Sequence, residues 1–120
     1  MFEQLGNNTG NIVTLKIRGE ISEKDFEKIS NILDEVIKKY QTVRLLIMVE
    51  HYASWSSEEA LYEDLKFAKI YSGNIDRMAV VGDRSWKSTW VALFGLFSGF
   101  LTNYYDKSEL KEAWNWLRQP

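Results

Sequence analysis

A mostly parallel α/β sheet of four to five strands, with an antiparallel strand at one edge, is the fold class this sequence predicts. Three observations carry that prediction. Residues 43–49 and 78–81 are short apolar, β-branched runs of the kind found in strands covered on both faces. Between such runs lie stretches whose apolar residues recur at helical spacing, each opened by a Ser or Asp cap. The connections are short, so the order β-β-α-β-α-β-α-β-α implies parallel strands joined by right-handed crossovers.

The elements follow in order. Residues 1–5 read as an edge strand, and the Gly-Asn-rich stretch 6–11 as a turn that tolerates positive φ, so a hairpin is expected. In the next strand Ile12, Thr14, Lys16 and Arg18 interleave with Val13, Leu15 and Ile17, giving one clearly apolar face, and Gly19 is expected to stop it. Ser22 with Asp25 is a capping pair for a helix whose stripe is Phe26, Ile29, Leu33, Val36, Ile37 and Tyr40. Residues 43–49 form a central strand ending at Glu50 and His51. Ser56 with Glu59 reads as a capping box for a second helix with Leu61, Leu65 and Ala68 buried. After the strand at 78–81, residues 88–101 are nearly all apolar and predict a helix feeding a last strand near 101–105. Asp106 with Glu109 then announces a terminal helix with Leu110, Ala113, Trp114 and Leu117 on one face.

Composition bounds the function. At 120 residues the chain reads as one domain, 1–120, with no linker or low-complexity segment and its one proline at Pro120. A chain of this length buries roughly two-thirds of its unfolded surface, so it needs no disulfide or metal to fold. The absence of cysteine removes thiolate catalysis and Cys-ligated zinc and fits a reducing compartment; with no secretory signal visible, a cytoplasmic location is expected. A formal charge of −2 with both signs interspersed gives no long-range pull toward phosphate backbones, so nucleic acid is not an expected partner. No cofactor and no metal site are expected. The run 88–101 is too short to span a bilayer, which needs about 20 residues, so no integral membrane segment is expected either.

In parallel α/β sheets, ligands bind outside the carboxyl ends of the strands. Those ends carry Glu50, His51, Tyr52 and Trp55 after one strand and Asp83, Arg84 and Trp86 after the other, in loops expected to be neighbours. His51 is the one histidine, so any His-based site would have to be built around it. A lone histidine at a strand end is more often a loop residue with one hydrogen bond. Glu50 and Asp83 are the cleft's carboxylates and lie near enough to perturb each other, although such residues more often cap turns. Gly82 followed by Asp83 is not a phosphate loop, because one glycine cannot supply the nest of backbone donors.

The strings GEISEKDF (19–26), LLIMV (45–49), EEALYEDLKFA (58–68), RMAVVGDRSW (77–86) and YYDKSELKEAWNWL (104–117) resemble the SpoIIAA-like bacterial family, related to STAS domains. The resemblance covers almost the whole chain, and its most specific piece is DLK, AVVGD and Trp86 in order with the terminal AWNWL. It implies a (βα) superhelical sheet shared with lipid-binding CRAL-TRIO domains, in small cytosolic proteins without established enzymatic activity. STAS relatives of the anti-sigma antagonist type carry a phosphorylatable Ser where a helix follows a central strand, and Ser56 or Ser57 occupies that kind of position. The chain departs from the antagonists' DSSG-like motif, reading ASWSSEE, and Glu58 and Glu59 would repel an added phosphate.

The apolar helix at 86–100 is the strongest functional clue. Its apolar residues wrap most of the way around, and a helix of that kind must be buried on all sides, bind something or associate. Membrane contact is disfavoured, because Lys87 is its one cation and interfacial helices carry a basic face. Two function classes follow. One is a non-enzymatic binding or regulatory module whose pocket, lined by Trp55, Trp86, Trp90 and Phe94, receives a lipid or other apolar small molecule; the same surface could form a homodimer face. The other is a STAS-type protein-interaction module, docking a partner protein through residues 54–59 and switched by phosphorylation at Ser56 or Ser57.

Overall fold

The computed structural model describes residues 2–6, 10–83 and 101–120, without the side chains of residues 51–55, 61 and 68. Five strands form one sheet in sequential order: β1 (Phe2–Gln4), β2 (Ile12–Ile21), β3 (Val43–Trp55), β4 (Ile75–Gly82) and β5 (Leu101–Asp106). β1 runs antiparallel to β2 with Phe2 opposite Ile17, and every other neighbouring pair is parallel. The predicted class, edge strand included, is the observed one.

Strand alternation sends the core to two faces. Val13, Leu15, Ile17, Leu45, Ile47, Val49, Met78 and Val80 pack under helices α1 (Glu23–Tyr40) and α2 (Glu58–Tyr71). Ile12, Leu46, Ala79 and Val81 face the other way and meet Ala113 and Leu117 of the terminal helix α3 (Leu110–Leu117). Strands buried on both faces account for the near-continuous apolar runs. The expected helix at 86–100 lies outside the described residues.

α1 forms as its spacing predicts. The Ser22 hydroxyl accepts from the Asp25 amide at 3.2 Å while the Asp25 carboxylate accepts from the Ser22 amide at 2.9 Å. Burial raises the Asp25 pKa, but the net shift is downward, and both Ser22 hydrogen bonds are among the causes that lower it. That cap's contribution is therefore present at neutral pH and lost as pH falls through the lowered value. Phe26, Ile29, Leu33 and Val36 are buried, whereas Tyr40 at the stripe's end is exposed.

Two sequence expectations for α2 are corrected. Its N-cap is Ser57, whose hydroxyl accepts from the Ala60 amide at 3.1 Å, not Ser56 with Glu59. The physical reason is that the Ser56 amide already donates to the Ile21 carbonyl at 2.9 Å, so it is not available for Glu59 to reach back to. Among the described residues the buried positions are Ala60, Asp64, Phe67 and Tyr71, at i, i+4, i+7 and i+11, and Leu65 is only half-buried, while the side chains of Leu61 and Ala68 lie outside the described residues. Tyr71 can face inward because its hydroxyl donates to the Asp34 carboxylate at 2.7 Å, tying α2 to α1.

Burial and the Asp34 carboxylate push the Tyr71 pKa from 10 up to about 12. A raised pKa means that the stabilisation is fully present below pH 10 and is lost as pH rises through about 12. Tyr71→Phe is expected to cost about 1–2 kcal/mol at neutral pH, since a charge-assisted hydrogen bond disappears. In urea denaturation at stepped pH, the gap between variant and parent should close between pH 10 and 12; a gap constant across that window would contradict the Tyr71–Asp34 account.

The strand lengths also differ from expectation. Gly19 does not stop β2, nor does Glu50 end β3. At Gly19, whose φ is +55°, the ladder shifts register: Arg18 pairs with Glu50, but Glu20 pairs with Ser54. Glycine reaches that left-handed conformation at little cost, so β3 accommodates extra residues in a bulge and pairing resumes as far as Trp55 opposite Ile21. Gly82 has a different role, because a Cβ there would stand 3.3 Å from the Val49 Cβ, which makes it the close approach between β4 and β3.

Candidate functional site

The carboxyl ends of β2, β3 and β4 converge as parallel topology requires, and the bulge at Gly19 positions what they carry. Past it, the Ile21 carbonyl holds Ser56, so α1 and α2 start side by side at Ser22 and Ser57. Both Ser56 and Ser57 are exposed there. Ser57 is occupied as the cap, whereas the Ser56 side chain projects from the short segment between strand and helix.

Glu50 lies within β3, ahead of the bulge, rather than in a loop. Its two carboxylate oxygens contact Lys16 Nζ and Arg18 Nε of β2, each at 2.8 Å. Asp83 follows the last residue of β4 and is exposed. Met48 with Val81 is the last pair of the β3–β4 ladder, and Glu50 and Asp83 each follow two residues later in the chain. The arrangement favours a structural ion pair over acid–base chemistry, because Glu50 bridges two cations.

His51 and Trp55 belong to β3 by backbone, but their side chains are outside the described residues, as are Trp86, Trp90 and Phe94 entirely. The proposed apolar pocket is therefore neither assembled nor dispersed by the described geometry. Among the described residues no group of three or more His, Asp or Glu side chains could hold a metal ion, and no helix is long and apolar enough to cross a membrane.

Two polar groups emerge beyond the residues that sequence pattern points to as sites. Asp64 is 1% exposed and is the buried charged side chain among the described residues. A carboxylate out of water must be paired or hydrogen-bonded, and Asp64 is so engaged. Its signal is present in the sequence: it is the Asp of the DLK string and falls on the Ala60–Phe67–Tyr71 stripe. The second is Tyr104 of β5, which packs against the α1/α2 side of the core. Its hydroxyl is buried with no hydrogen-bond partner among the described residues, and burial raises its pKa.

The comparisons with known proteins agree with this architecture. The SpoIIAA-like family model matches residues 12–118. Among solved structures, the chain is similar to an uncharacterized protein of the DUF3478 family with a SpoIIAA-like fold from Shewanella loihica PV-4, at 17% identity with a TM-score of 0.74. That match covers 97% of this chain and 93% of the other, and it speaks to the fold. No curated protein matches the sequence. With the motif strings, the sequential parallel sheet and the family model in agreement from the second strand to the terminal helix, the chain belongs to the SpoIIAA-like family.

Proposed function

We propose that this protein is a non-enzymatic binding module that takes a lipid or other apolar small molecule beside residues 86–100, with Trp55, Trp86, Trp90 and Phe94 as the apolar lining. The observation that carries the reading is the buried, unpartnered Tyr104 hydroxyl on the α1/α2 side of β5, among the described residues. β4 and β5 are parallel, and a right-handed crossover is the connection expected between such strands. A crossover of that hand would take the face that carries α1 and α2, which is the face of Tyr104. The run 88–101 has no charged side chain. An apolar stretch expected on the same face as one orphaned donor would suit a ligand with a long apolar body and a single acceptor, as small-molecule pockets commonly do. A buried hydroxyl without a partner costs about 1–3 kcal/mol, which a ligand acceptor would recover.

Native mass spectrometry of freshly purified protein is expected to show co-purifying mass in the lipid range, and delipidated protein should take up a fluorescent fatty acid. Trp90→Ala should weaken uptake about tenfold, the scale on which truncating a large aromatic anchor weakens binding. No co-purifying mass together with no uptake would overturn the reading.

The second reading, a STAS-type interaction module switched by phosphorylation, draws on one observation: Ser56 and Ser57 are both exposed where β3 passes into α2. A phosphate on Ser57 would remove the α2 cap, and on Ser56 it would sit beside Glu58 and Glu59. If Ser56→Glu and Ser57→Glu leave every partner's binding unchanged, this reading is removed.

A further inference from the structure

α1 and α2 are held together by the Tyr71–Asp34 hydrogen bond, and a groove of about 390 Å³ runs between them. Its floor is the Phe26 and Phe67 rings, with centroids 6.0 Å apart, and one wall is Ile70, a large apolar side chain left 67% exposed. Glu23 and Glu27 from α1 and Glu63 from α2 form the rim. Lys66, the one cation lining the groove, lies 3.4 Å from Glu63. Glu23 sits in the first turn of α1, where the helix dipole favours an acid, but Glu27 and Glu63 lie beyond the first turns of their helices and have no such reason to be acidic.

We infer that this groove is a docking site for a basic amphipathic segment of a partner protein, which sets an apolar side chain against Ile70 and the phenylalanine floor and places Lys or Arg opposite Glu23, Glu27 and Glu63. Charge complementarity selects that occupant. Three carboxylates against one ammonium leave the lining of the groove with a net charge of −2, and Lys66 already lies against Glu63. A concave, partly apolar site focuses such a field and steers a cationic partner toward it. A second copy meeting this one groove to groove would bring acid against acid, nucleic acid would be repelled, and a polyamine would leave Ile70 uncovered. Among the described residues that line the groove, none belongs to the lining proposed for the apolar pocket.

The test is a titration of the isotope-labelled full chain with a capped 14-residue helical peptide that has Leu at i and i+4 and Lys on the flanking positions. Amide shifts are expected at Phe26, Ser30, Phe67 and Ile70. Affinity should fall about tenfold between low and physiological salt, as screening of an exposed charged contact requires. The double variant Glu27→Gln/Glu63→Gln should bind about fivefold more weakly with an unchanged melting temperature, and Ile70→Lys should abolish binding. A peptide with Ala in place of both Leu residues should bind no better than the Ile70 variant allows. No shifts, shifts away from the groove, equal binding by the double variant, or self-association that covers the same residues would each overturn the proposal.

Discussion

Arg44→Ala is expected to lower the unfolding free energy by about 3 kcal/mol and to release the terminal helix before the rest of the fold, because its loss strands several polar groups at once. α3 has eight residues, well short of what an isolated helix needs, so it persists only by docking. One anchor is apolar, through Ala113 and Leu117. The other is a pair of guanidiniums that face each other in the β3–β4 register, Arg44 and Arg77. Arg44 Nη1 donates to the Leu117 carbonyl at 2.6 Å and also to that of Gln119, while its Nε contacts Asp76 at 2.7 Å. Arg77 Nη1 donates to the Trp116 carbonyl at 2.8 Å and lies over the Trp116 ring at 5.3 Å. Two cations thus meet carbonyls at the negative end of the helix dipole. Arg44→Lys should recover less than half the loss, since one ammonium cannot reproduce the fork. Urea denaturation followed by tryptophan fluorescence gives the energy, and hydrogen exchange of residues 110–117 gives the order of events. A loss below about 0.5 kcal/mol, the range of an ordinary surface ion pair, would show that the apolar anchor suffices.

How much of the fold is legible in the sequence depends on whether local spacing or distant partners decide each element. α1 is legible because every determinant is local: a Ser22–Asp25 box, then apolar residues on one stripe. The parallel order is legible from doubly buried strands and short connections, and the antiparallel edge from its turn. The phase of α2 is not, because its inward face contains Asp64 and Tyr71, polar residues made tolerable by partners elsewhere in the fold, Asp34 of α1 in the case of Tyr71. Gly19 reads as a stop because a bulge is a property of two strands, and one strand's sequence does not contain it. The Arg44–Arg77 clamp is invisible for the same reason, since the acceptor of Arg44 lies 73 residues away in the chain. Of the candidate site, the placement of Glu50 and Asp83 towards the carboxyl ends of neighbouring strands follows from topology, whereas the Lys16 and Arg18 contacts that engage Glu50 require the register. The aromatic lining proposed from Trp86, Trp90 and Phe94 stands on composition and the crossover rule, with Tyr104 as its structural support.

The phase of α2 can be measured directly by comparing Phe67→Ala with Leu65→Ala. A reading from apolar spacing alone puts Leu65 in the core and predicts the larger loss there. The structure reverses that ranking. Phe67 is 6% exposed, and its ring packs between Phe26 at 6.0 Å and Tyr71 at 4.8 Å, so truncation empties a space bounded by both helices. The expected cost is about 3–5 kcal/mol, the transfer term plus an unfilled cavity. Leu65 is half-buried, and its truncation should cost about 1 kcal/mol, because less surface returns to water and solvent can fill the gap. Chemical denaturation of both variants decides the matter, provided the denaturant dependence is unchanged so that midpoints compare as energies. Equal losses, or a larger one at Leu65, would rotate α2 by about one residue and with it Asp64 and Tyr71, removing the tie to Asp34 that holds the two helices in register.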